Sequence, residues 1–154
     1  MPEYMRSDSG WYEEDCAYVI VLVVFEAELL ASDDEVSKRL IQSGEHKDTF
    51  RNWHPEAYEK FYGVKLSPGE SFLNDQRLFF EEHAQDLLVV SAFGDWHERV
   101  PKGMVGVVAR TGGSWTEKGT PERYFLVPGG EYDQCKRFAF IVDPARHEEI
   151  EKFC

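Results

Sequence analysis

The 154-residue chain is 42% hydrophobic and 14% aromatic, with a formal net charge of −12 at pH 7. That apolar content excludes disorder, and the length suits a single domain over residues 1–154 that buries roughly two-thirds of its unfolded surface. So acidic a surface repels phosphate backbones, so no direct binding to nucleic acid is expected; the natural partner is a basic protein face or a cation.

Ten of the first 35 residues are Asp or Glu, and Arg6 is the only base among them. Within this stretch Gly10-Trp11-Tyr12-Glu13-Glu14-Asp15-Cys16 sets two aromatics before three consecutive acids. Like charges this close repel one another unless a cation, a basic face or a helix N-terminus relieves them. Asp15 is placed to cap a helix through Ala17 and Phe25, although Val19-Ile20-Val21-Leu22-Val23-Val24 suits a buried strand as well. The apolar run of residues 17–25 is much shorter than the roughly 20 residues a membrane span needs, so it is read as core, with no membrane partner.

Ser32-Asp33-Asp34-Glu35 reads as a capping box for a helix whose apolar face is Val36, Leu40 and Ile41 and whose stop is Gly44. A second short helix starts at Pro55 and ends at Gly63, burying Tyr58, Phe61 and Tyr62. Ser67-Pro68-Gly69-Glu70 repeats the box before a helix running to His83, with a restart at Asn74-Asp75 as an option. From Asp86 the period changes. Residues 87–93, 104–109, 123–127 and 138–142 read as strands, separated by Gly/Pro turns that include Gly94-Asp95, Pro101-Lys102-Gly103 and Thr111-Gly112-Gly113. Asp143-Pro144 then opens a terminal helix. The fold class is therefore α+β: a helical N-terminal half packed on an antiparallel sheet of about four strands, with a terminal helix.

Cys16, Cys135 and Cys154 form neither an even framework nor a CxxC pair, and no secretory signal precedes them, so a reducing cytoplasm is expected. Cys16 follows three acids and reads as a small buried hydrophobe; Cys135, beside the isolated pair Lys136-Arg137, is better placed for a thiolate but has no catalytic companion. His46, His54, His83, His97 and His147 make no HxH, HxxH or HExxH spacing and read as surface or capping residues. Gly112-Gly113 and Gly129-Gly130 match no nucleotide loop. The aromatics Trp11, Tyr12, Trp53, Trp96 and Trp115 fall near expected loops; of these, Trp53-His54-Pro55 and Asp95-Trp96-His97 border a pocket or a protein-binding patch, or else lock loops onto the core. No cofactor is implied.

The segments Pro2-Glu3-Tyr4-Met5-Arg6, Gly10-Trp11-Tyr12-Glu13-Glu14-Asp15-Cys16, Trp53-His54-Pro55-Glu56-Ala57-Tyr58-Glu59, Val100-Pro101-Lys102-Gly103 and Phe125-Leu126-Val127-Pro128 resemble an uncharacterised family from bacterial plasmids, phages and other mobile elements. Longer proteins of that type are expected to carry a further Gly/His-containing stretch upstream. The resemblance implies a mobile-element setting and no reaction, cofactor or catalytic residue. With the charge asymmetry it points to a non-enzymatic accessory protein that binds a basic surface on a host protein. A nucleic-acid-binding defence enzyme is one such host protein, and DNA mimicry is the extreme form. The residues expected to bind are Trp11, Tyr12, Glu13, Glu14, Asp15, Glu26, Glu28, Asp33, Asp34 and Glu35. The alternative is a small metal-dependent hydrolase built from Glu13, Glu14, Asp15, His54 and His97.

Overall fold

A computed structural model describes residues 1–135 and 138–153. The basic pair Lys136-Arg137 and the terminal Cys154 lie outside the described residues. The chain divides into two units, Met1–Arg77 and Leu78–Cys154. Helices make up the first and a five-stranded antiparallel sheet dominates the second, which is the α+β class expected from the change of period near Asp86.

The first unit holds α1 (Tyr18–Val24), α2 (Glu26–Ala31), α3 (Glu35–Ser43), α4 (Glu45–Trp53) and α5 (Pro55–Tyr62); α6 (Phe72–Glu82) begins in it and ends in the second. The Val/Ile run of α1 is helical despite its β-branched residues. Val19, Ile20, Leu22 and Val23 are all buried, and burial on several sides outweighs a weak local propensity. Val19, Ile20 and Val23 share a core with Met5 and Phe50, with Tyr12, Tyr58 and Phe61 packed on it.

Asp15 does not cap α1. The N-cap is Ala17, which makes no side-chain cap bond, and the Tyr18 amide instead donates to the Glu13 carbonyl at 2.7 Å. The capping box at Ser32 is likewise replaced. Asp34 is the N-cap of α3 and accepts from the Val36 and Ser37 amides, both at 3.1 Å. Ser32 meanwhile donates back to the Leu29 carbonyl. Starting the helix at Glu35 turns Ser37 and Ile41, four residues apart, toward the core. Val36 is left 67% exposed, so the expected face of Val36, Leu40 and Ile41 holds only at Ile41. At Ser67 only the carboxylate half of the second box forms, Glu70 accepting the Ser67 amide. Helix α6 starts at Phe72, with Ser71 Oγ accepting the Asn74 amide at 3.4 Å.

In the second unit β1 (Leu87–Phe93), β2 (Met104–Thr111), β3 (Arg123–Pro128), β4 (Ile141–Val142) and β5 (Glu148–Ile150) are ordered β4-β1-β2-β3-β5. A short helix, α7 (Gly129–Asp133), follows β3. Strands β4 and β5 form opposite edges yet are joined by residues 143–147, where the His147 amide bonds the Asp143 carbonyl at 2.8 Å. So tight a turn cannot bridge the roughly 19 Å width of a flat five-stranded sheet, so the sheet curls until its edges approach.

Alternation along β2 and β3 serves both faces. Val107, Ala109, Phe125 and Val127 join Leu87 and Val142 on one, while Val108 and Leu126 join Val100 and Phe153 on the other. A bulge between Val89 and Ser91 lets Val90 and Phe93, three apart, share the second face. Gly106 sits in β2 because a Cβ there would lie 2.6 Å from the Phe153 ring and 2.8 Å from Val100.

The expected terminal helix is absent among the described residues. Asp143 does accept the Ala145 amide at 2.9 Å, as a cap would, but only one turn forms. The following residues then pair with β3 (Tyr124 with Ile150, Leu126 with Glu148), where Arg123 grips Glu149 through two hydrogen bonds. Pairing with the open edge of β3 satisfies the backbone groups of residues 148–150 in place of a helix.

Candidate functional site

The acidic segment before α1 is held by one aromatic and displays the other. Tyr12 packs against the α1 core, donates its hydroxyl to the Met5 carbonyl (2.9 Å) and accepts from the Ser7 amide (3.3 Å). Trp11 points away and is 83% exposed. Tyr12 thus anchors the segment and Trp11 is its displayed side chain. Arg6, the only base among the first 35 residues, donates Nε–H to the Met1 carbonyl and makes no ion pair among the described residues.

The eight acids expected to bind fall into two groups. Glu13, Glu14, Asp15, Glu28 and Asp33 are exposed, and their side chains make no hydrogen bond or ion pair among the described residues. Glu26, Asp34 and Glu35 are engaged within the unit. Glu26 is half-buried on α2, 3.2 Å from Lys47 Nζ and 3.4 Å from His46 Nε2 on α4. Burial pushes its carboxyl up, but hydrogen bonds from Lys47 and His46 and their charges outweigh this and hold it below its ordinary value. Asp34 receives the Ser37 hydroxyl at 2.6 Å besides its two amides, which lowers its carboxyl as well. With the Ser37 proton committed to Asp34, the Tyr18 hydroxyl at 2.9 Å donates to Ser37 and ties α1 to α3. Glu35 pairs with Lys38 one turn on, at 2.9 Å.

The Glu26 partners were not legible as a site. Their helix, α4, carries a polar run in which only His46 and Phe50 are buried; that spacing of four is its one helical signal.

These lowered carboxyls have a pH consequence. A carboxyl depressed in the folded state adds stability above its unfolded value, and that contribution is lost as pH falls through the folded value. The urea midpoint of the first unit is therefore expected to hold from pH 7 to about 5 and to decline below that. Glu26→Gln should flatten part of the decline; an identical profile for wild type and variant would show that Glu26 plays no part in it.

The histidines are engaged singly. His46 is buried, with Nδ1 lacking a partner among the described residues. His54 donates Nε2–H to the Cys16 carbonyl at 2.9 Å. His97 accepts the Arg99 amide on Nδ1 at 3.2 Å and packs beside Phe93 and Phe153. His83 pairs with Asp86 at 2.7 Å. His147 is buried, accepts the Asp143 amide on Nδ1 and turns Nε2 to Glu131 at 3.2 Å. Two of the five are thus core residues, not the surface or capping groups expected. Among the described residues no group of three or more His, Cys, Asp or Glu side chains is arranged to hold a metal ion; of the expected set, Glu13, Glu14, Asp15 and His54 belong to the first unit and His97 to the second.

Cys16 is half-buried at the start of the core, and Cys135 lines a half-open groove. Trp53 packs on Phe72 at 5.4 Å and Trp115 stacks on Phe80 at 4.8 Å, whereas Trp96 remains 77% exposed. Among the described residues no helix is long and apolar enough to cross a membrane.

A family model described as "Domain of unknown function (DUF7007)" matches residues 1–84, taking in the acidic segment and α1 to α6. No curated protein and no solved structure matches the chain.

Proposed function

The chain belongs to the DUF7007 family, and from the acids of its matched segment that have no counter-charge among the described residues we propose that it is a non-enzymatic protein that binds a basic surface on another protein. The observation that carries this reading is the set Glu13, Glu14, Asp15, Glu28 and Asp33, exposed and without internal partners among the described residues, in a chain of net charge −12. Trp11, displayed beside the first three, supplies the apolar anchor that a charged contact needs for affinity as well as steering. Glu26, Asp34 and Glu35 add to the field around the unit but keep their structural contacts.

The setting is a phage, plasmid or similar element acting in the bacterial cytoplasm. The partner is a basic host protein, with a nucleic-acid-binding defence enzyme as the preferred class. An acidic protein reaches such an enzyme through the channel that otherwise holds phosphates, so binding and nucleic acid would compete there.

The test begins with affinity capture from a bacterial host at low salt, followed by calorimetric titration of the recovered partner. The affinity should fall about tenfold or more between roughly 50 and 300 mM salt, because exposed charges are screened over about 10 Å at 0.1 M. Combined Glu13→Gln, Glu14→Gln and Asp15→Asn should weaken low-salt binding by about tenfold, with the thermal melt of the chain retained. A salt-independent affinity, or full affinity in the triple variant, would refute the reading.

A further inference from the structure

We draw no further inference here: the strongest candidate, the half-open groove of about 380 Å³ in the second unit between β1 residues Val89 to Ala92 and the segment bearing Tyr132, Cys135 and Phe140, offers a lone thiol among mixed polar and apolar surface, and nothing in the structure shows what covers it.

Discussion

Phe50→Ala is expected to cost the Met1–Arg77 unit about 3–5 kcal/mol, the range for deleting a fully enclosed aromatic ring. Phe50 has no exposed surface and lies at the meeting point of α1, α4 and α5. Its ring stands 5.7 Å from Tyr58, 6.3 Å from Phe61 and 6.1 Å from His54, and it shares a core with Val19, Ile20 and Val23. Alanine would leave a cavity that three helices and the segment bearing Met5 cannot all close at once. A loss of this size approaches the whole stability of a small unit, which is typically about 5–15 kcal/mol. Amides of α1, α4 and α5 should then exchange at rates close to those of the unfolded chain. Phe50→Leu, which keeps most of the volume, should cost clearly less, about 1–2 kcal/mol. Equal protection in wild type and the alanine variant would show that the ring network does not hold the unit. The acidic segment shares this dependence, because Tyr12, which anchors Glu13 to Asp15, packs on the same core.

The elements legible in the sequence are those whose signals are local. Strand β1 runs over the residues its apolar run marks, 87–93, and α5 starts at Pro55. Gly44 and Gly63 stop α3 and α5 in left-handed backbone, with φ of 79° and 66°. Where two local choices are equally good, distant contacts decide. In Ser32-Asp33-Asp34-Glu35 the Ser and the second Asp are both competent caps, and the contact from Tyr18 to Ser37 belongs to the register that Asp34 sets. Helix α4 escapes notice because Gly44 closes α3 and serves as the N-cap of α4 at once, leaving no linker to mark a second helix. The terminal segment fails in the opposite sense: a good local cap at Asp143 is overridden by the open edge of β3.

The candidate surface divides in the same way. Charge excess is a property of composition and could be read directly, as could the solvated pair Glu13 and Glu14; Asp15, expected to cap α1, is exposed beside them. Which acids are spent internally could not, since the contacts of Glu26 reach across about twenty residues to Lys47 and His46 on a helix the sequence does not announce. Tyr12 and Trp11 are indistinguishable in sequence and opposite in role. The difference comes from Met5, whose carbonyl receives the Tyr12 hydroxyl and whose side chain is buried in the core.

Gly113→Ala should destabilise the Leu78–Cys154 unit by about 2–5 kcal/mol, from two separate causes. The backbone there has φ of +67°, which costs an L residue about 1–2 kcal/mol. A Cβ would also lie 2.9 Å from Leu88 Cβ and 3.2 Å from Phe80 Cε1. Leu88 is fully buried, so it has nowhere to move, and crowding of this kind adds about 1–3 kcal/mol. Gly103→Ala separates the two causes: φ is +78° there, but nothing lies within 4 Å of the added carbon. That variant should lose only the conformational part, about 1–2 kcal/mol. Urea unfolding of both variants, followed by the fluorescence of Trp115 stacked on Phe80, measures the difference. Equal losses would mean that Leu88 and Phe80 give way freely and that φ alone requires glycine at 113. A larger loss at Gly113, with the Trp115 signal disturbed before unfolding begins, would place the requirement in the packing of α6 on β1 through Phe80 and Leu88.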